Sequence, residues 1–156
     1  MKIGDTAPDF TAPTETGAAL TLSSLRGQPV VLYFYPKDST PGCTQEAKDF
    51  TTLADQFAAT GARVLGVSKD SITRHANFTA KHDLGVTLIS DADSQICEDY
   101  GVWVQKTMYG KVFWGIQRTT LLIDGAGKIA RIWPKVKVAG HADTVLEAVQ
   151  ELPADD

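Results

Sequence analysis

The apolar run Val30-Val31-Leu32-Tyr33-Phe34-Tyr35 is followed directly by Pro36-Lys37-Asp38-Ser39-Thr40-Pro41-Gly42-Cys43, and then by a stretch with helical periodicity. A short continuous apolar run that ends in turn residues reads as a strand covered on both faces. Beyond the turn, Ala47, Phe50, Leu53, Ala54, Phe57 and Ala58 recur at three- and four-residue steps with polar residues between them, so one stripe faces a core. Pro41 suits a first helical turn and Thr60-Gly61 supplies a stop, which predicts one helix over residues 41–60. A buried strand passing through a short loop into a helix is the unit of an α/β sheet. Here it delivers Cys43 to a helix N-terminus. A thiol there faces N–H groups without intrahelical acceptors and the positive end of the helix dipole, a setting that favours thiolate. Cys43 is therefore the candidate nucleophile.

The rest of the chain extends the same architecture. Residues 10–13 and 19–21 read as a short hairpin with Gly17 in its turn, followed by a helical turn at 23–25. Residues 63–68 and 87–90 read as strands, Asp70 or Ser71 caps a helix reaching His82, and residues 91–100 read as a helix ended by Gly101. Residues 119–123 and 129–133 form a hairpin through Asp124-Gly125-Ala126-Gly127-Lys128, and Val145, Leu146, Val149 and Leu152 mark a final helix that stops at Pro153. The order predicts an α/β fold with a central mixed β-sheet flanked by helices on both faces. The 156 residues show no linker or repeat and read as one domain over residues 1–156.

Composition narrows the function classes. A net charge of −4 without a basic run gives no footprint for nucleic acid. No apolar stretch approaches the ~18 residues of a membrane span and the N-terminus lacks a signal-like apolar segment, so the expected location is cytoplasmic. Two cysteines are too few for a disulfide scaffold. His75, His82 and His141 are not spaced as a metal site, Asp91-Ala92-Asp93 lacks the pattern of a calcium loop, and Gly125-Ala126-Gly127-Lys128 lacks that of a phosphate loop.

The spacing of Pro36, Thr40 and Cys43, PxxxTxxC, resembles the active-site signature of the peroxiredoxins. The opening Gly4-Asp5-Thr6-Ala7-Pro8-Asp9-Phe10 is similar to that family's first segment, and Tyr100-Gly101-Val102-Trp103 with Gln117-Arg118-Thr119-Thr120-Leu121-Leu122-Ile123-Asp124 to the segment carrying its catalytic arginine. The resemblance covers essentially the whole chain and is closest to the bacterioferritin comigratory protein or Q-type branch. It implies a thioredoxin-like fold with an N-terminal β-hairpin extension. It also implies a thiol-dependent peroxidase that reduces hydrogen peroxide and organic hydroperoxides through a Cys43 sulfenic acid. An external reductant of thioredoxin, glutaredoxin or small-thiol type would recycle it, with no flavin, haem or metal cofactor, in a monomer or weak dimer.

The reaction needs an ionised thiol, an aligned peroxide and stabilisation of the leaving oxygen. Cys43 serves the first. The Thr40 hydroxyl is suited to accept from peroxide and donate to the thiolate, with N–H groups near Gly42 and Cys43 as further donors. Arg118 offers a permanent charge and a fork of donors to sulfur and oxygen, and Pro36 shields the pocket. Cys43 could instead be a small buried hydrophobe, but Pro41-Gly42 before it and a helix after it lead us to expect an exposed, electropositive setting. Cys97 reads by default as a packed structural thiol, with a resolving role left open. In the Q-type branch a resolving cysteine commonly lies five residues after the first or on the following helix; here Lys48 occupies the first place and residues 77–81 hold no cysteine. That departure suggests a one-cysteine mechanism. Trp103, Phe113, Trp114 and Trp133 are expected to pack, with Trp103 the foremost candidate for a pocket rim. The rivals are a thiol-disulfide oxidoreductase, for which Thr40-Pro41-Gly42-Cys43 lacks the first thiol of C-x-x-C, and a non-catalytic thioredoxin-like binding module.

Overall fold

Val30–Phe34 (β3) forms the middle of the fold and is wholly buried. The computed structural model describes residues 1–153. Before β3 lie a hairpin of Thr11–Pro13 (β1) and Ala19–Thr21 (β2) and a 3-10 turn at Leu22–Leu25. After it come helices Pro41–Thr52 (α1) and Ala54–Ala59 (α2), strand Arg63–Ser68 (β4), helix Ile72–His82 (α3), strand Thr87–Ser90 (β5) and helix Ile96–Asp99 (α4). Strands Trp103–Met108 (β6), Lys111–Ile116 (β7), Thr119–Ile123 (β8) and Ile129–Trp133 (β9) precede helix His141–Gln150 (α5).

The main sheet has the order β5-β4-β3-β8-β9. β3 pairs in parallel with β4 and antiparallel with β8, so the sheet is mixed, as expected. Successive residues of β3 point to opposite faces. Val30, Leu32 and Phe34 join one core with Leu22, Leu25, Ile96 and Ile116; Val31 and Tyr33 join the other with Phe50, Phe57, Phe78 and Val145. The second core lies under α1, α2, α3 and α5. The first is closed by α4, the 3-10 turn and the hairpins, so helices flank both faces unequally. Tyr33 stacks on Phe50 at 4.8 Å between ring centres, a contact worth about 0.5–1.5 kcal/mol beyond its area. Opposite Tyr33 in the register is Gly66, where a Cβ would lie 2.6 Å from the Tyr33 ring; the strand needs glycine there.

Three elements differ from the sequence reading. The expected helix over 41–60 breaks at Leu53. The Thr51 and Thr52 hydroxyls bond back to the carbonyls of Ala47 and Lys48, which competes with the helix ladder and bends it. The expected helix over 91–100 is helical only at Ile96–Asp99. The Asp91 carboxylate does cap it, accepting from the N–H groups of Ile96 and Cys97 at 3.0 and 2.9 Å, but across an intervening turn. The β6–β7 hairpin was not foreseen. Its loop is Tyr109-Gly110, both with positive φ, which matches a tight turn between strands. On this hairpin Phe113 and Trp114 are exposed, contrary to the packing expected of them, whereas Trp103 and Trp133 pack against the cores.

Candidate active site

The antiparallel pairing of β3 and β8 places Phe34 opposite Thr119. The loop leaving β3 and the residue entering β8 therefore meet at one end of the sheet, which brings Cys43 and Arg118 together across 75 residues of chain. Arg118 Nη2 donates to Cys43 Sγ at 3.2 Å, and Nη1 donates to Glu46 Oε1 at 2.7 Å. Glu46 follows Cys43 by three residues, which puts both on one helix face. Gly42 makes the approach possible, since a Cβ there would stand 3.2 Å from Arg118 Nη2. The Arg118 backbone is fixed as well, because its carbonyl accepts from the Val136 N–H.

Helix α1 begins as the sequence suggests, with Pro41 in its first turn and Thr40 as its cap residue. The Thr40 carbonyl accepts from the Thr44 N–H, leaving the N–H groups of Gly42 and Cys43 without intrahelical acceptors. The Thr40 side chain departs from expectation: its hydroxyl donates to the Lys37 carbonyl at 2.8 Å instead of to Sγ. The short loop folds back on itself, and the Lys37 carbonyl takes up the hydroxyl's hydrogen bond. Pro36 lies half-buried in the same loop. The exposed setting expected for Cys43 is also corrected. The residue is 2% exposed, because α1 lays its first turn against Tyr33, Tyr35 and α5. It is thus buried and in contact with a cation at once.

Glu46 is the functional candidate that sequence reasoning missed; it read as one of the polar positions of the helix. Burial pushes its carboxyl up to about 7, against the pull of the Arg118 charge and hydrogen bond. Burial alone would lower Arg118, but Glu46 and Cys43 outweigh it and the guanidinium is held above its ordinary value. Glu46 Oε2 has no hydrogen-bond partner among the described residues. Nearby, the His141 ring lies 2.8 Å from the Thr120 hydroxyl, and burial together with the Arg118 charge pushes it down to about 4, so it is neutral. Lys106 of β6 also feels the site: burial and Arg118 lower its pKa while Cys43 opposes them.

Cys97 lies in the other core, among Ile96, Phe34 and Val102. Burial raises its thiol, and the Asp91 hydrogen bond and charge raise it further. A second cluster adjoins the loop: one ligand-type atom from each of Asp38, Asp70 and His75 lies within 4.8 Å of the others, a grouping the sequence did not signal. These atoms are engaged with one another and with Tyr35, Ser68, Arg74 and the Ile89 carbonyl.

A family model described as AhpC/TSA matches residues 3–132. The chain is 48% identical over 134 residues to the peroxiredoxin Bcp of Xanthomonas campestris, a match covering 86% of this chain and 84% of that one. Among solved structures, the Xanthomonas campestris bacterioferritin comigratory protein, described for its alkyl peroxide reduction activity, aligns with a TM-score of 0.88 at 43% identity over 96% of both chains. A Xylella fastidiosa PrxQ variant aligns at 0.91 with 41% identity, again over 96% of both.

Proposed function

Since this chain belongs to the AhpC/TSA family and to its Bcp/Q-type peroxiredoxins, we propose that its peroxidase chemistry runs at Cys43, with Arg118, Thr40, Pro36 and Glu46 as the supporting site. The chain is a thiol-dependent peroxidase with a thioredoxin-like fold. The observation that supports the assignment is the Arg118 fork, which touches Cys43 Sγ with one nitrogen and Glu46 with the other. In the reaction the Cys43 thiolate attacks one peroxide oxygen and the O–O bond breaks. Sulfur is oxidised to sulfenic acid while the second oxygen departs as hydroxide or alkoxide and takes up one proton, equivalent to the one Cys43 released on ionising, to give water or alcohol. Arg118 holds the sulfur and offers charge to the departing oxygen, as a preorganised donor should. The free N–H groups of Gly42 and Cys43 lie at the same helix end. Thr40 supplies the cap of α1 and, through its lone pairs, an acceptor for a peroxide proton; Pro36 shields the loop.

One external thiol then displaces water from the sulfenic acid to form a mixed disulfide, and a second releases Cys43 as thiol. Thioredoxin, glutaredoxin or a small thiol would serve. Positions 48 and 77–81 hold no cysteine and Cys97 is in the opposite core, which favours a one-cysteine cycle and speaks against a dithiol oxidoreductase. Two free thiols suit a reducing compartment such as the cytoplasm, and we infer a monomer or weak dimer. The test is consumption of hydrogen peroxide and tert-butyl hydroperoxide with a thioredoxin system or dithiothreitol. Cys43→Ser should abolish it and Cys97→Ser should keep it; activity surviving in Cys43→Ser would overturn the assignment.

A further inference from the structure

Asp38 is tied at every polar atom of its side chain. Its Oδ1 accepts from the Tyr35 hydroxyl at 2.6 Å and its Oδ2 lies 2.6 Å from His75 Nδ1, while its backbone N–H donates to Asp70 Oδ2 at 2.8 Å. His75 and Asp38 side chains are 0% and 1% exposed. His75 Nε2 stands 2.9 Å from the Ile89 carbonyl of β5. A carbonyl only accepts, so Nε2 carries a proton, and the 2.6 Å contact of Nδ1 with Asp38 Oδ2 requires a second proton between the two. Burial alone would lower the His75 pKa, but the Asp38 hydrogen bond and charge, the Ile89 carbonyl and Asp70 outweigh it, and it is raised above its ordinary value.

Ser39, next in the chain, has a φ of 67°, a left-handed conformation that a residue with a side chain keeps only where its surroundings hold it. Thr40 then closes back on Lys37 and caps α1, whose first turn carries Cys43. From α3 to the thiol, Asp38 and Thr40 are held by hydrogen bonds and residues 41–43 by the helix start, with Ser39 between the two anchors.

We propose that His75 and Asp38 are positioning residues of the peroxidase site: their buried pair, seated on the Ile89 carbonyl, holds the strained loop that sets Thr40, Gly42 and Cys43 against Arg118. This inference rests on the peroxidase function given above. Neither residue touches the reacting atoms. The titratable or charged groups around His75 are Asp38 and Tyr35 at the end of β3, and Asp70 with its partner Arg74 at the start of α3; β5 presents the Ile89 carbonyl. A base with a raised pKa keeps its pairing at and below the ordinary histidine range and loses it as pH rises through the raised value. Displacement of a reacting group by 1 Å can cost on the order of 10²-fold in rate.

The test is the second-order rate of Cys43 oxidation, measured by competition with a haem peroxidase for a limiting hydrogen peroxide pulse between about pH 6 and pH 9. It is run on the parent, His75→Leu and His75→Asn at a temperature where circular dichroism shows each fully folded. His75→Leu should react ten-fold or more slowly at the acid end. His75→Asn, whose amide can still donate to Asp38, should recover to within about three-fold. The parent-to-Leu ratio should shrink as pH rises. A ratio within two-fold of unity, or a His75→Asn variant as slow as His75→Leu, overturns the inference. Should His75→Leu not fold, Tyr35→Phe, which removes one tie to Asp38, decides instead: two- to five-fold slowing supports the proposal and an unchanged rate overturns it. A parent that consumes no peroxide would overturn the peroxidase function itself, and this inference with it.

Discussion

Cys43 and Cys97 lie on opposite faces of the central sheet: the first packs with Val31 and Tyr33 and the second with Leu32 and Phe34, alternate residues of the same strand. A disulfide needs Cα atoms within about 7 Å, and β3 with its neighbours stands between these thiols.

The fate of oxidised Cys43 follows. One equivalent of peroxide should add one oxygen to the intact mass, make Cys43 reactive towards dimedone and leave Cys97 as a free thiol under denaturing titration. Excess peroxide should carry Cys43 on to sulfinate, because no internal thiol intercepts the sulfenic acid. Loss of both thiols, with a Cys43–Cys97 peptide in a non-reducing digest, would show that the sheet opens during turnover and that Cys97 resolves.

Glu46 should make stability depend on pH. Its carboxyl moves from an ordinary value of 4.5 up to about 7 on folding, so between those values the folded state keeps a proton that the unfolded chain has released. Stability from this group is therefore present below the lower value and lost as pH rises to the upper one. Glu46→Gln keeps an acceptor for Arg118 and removes the titration. Its stability relative to the parent should rise between about pH 5 and pH 8 by on the order of 2–3 kcal/mol, read from urea unfolding. A difference that stays flat would mean that Glu46 is ionised throughout.

Two glycines give opposite signatures. Gly42→Ala places a methyl 3.2 Å from Arg118 Nη2, so the guanidinium must shift, while alanine suits the helix better by about 0.5–1 kcal/mol. That variant should be as stable as the parent and several-fold slower with peroxide. Gly66→Ala drives a methyl to 2.6 Å from the Tyr33 ring and should lose about 1–3 kcal/mol of stability with the rate per folded molecule unchanged. Thermal melts and peroxide kinetics on the same preparations separate the two.

The features legible in the sequence are those set by neighbours in the chain. The run at 30–35 announces β3, Pro41 the start of α1, Ser71 the cap of α3 that accepts from the Arg74 N–H, and the glycines after Asp124 the β8–β9 turn. The hidden features depend on distant partners. Glu46 reads as a solvated helix residue until Arg118 arrives from 72 positions away, and His75 reads as one scattered histidine until Asp38 meets it across 37. The break at Leu53 turns on hydroxyls bonding back to the helix, which periodicity does not register. β6 alternates weakly because the outer part of its hairpin, residues 107–114, is exposed on both faces, so its pattern resembles a loop.

The pairing of β3 with β8 also orders events in time. Ribosomal synthesis releases Cys43 well before Arg118, and the two meet only when β8 docks antiparallel on β3. Closing so long a loop is entropically costly and comes late in folding. A nascent chain therefore exposes a cysteine that lacks its guanidinium, and on the proposed assignment of the site full reactivity towards peroxide arrives with the native sheet. The protein's susceptibility to oxidation is in this sense acquired at maturation, when the fold that accelerates the reaction is also in place to use it.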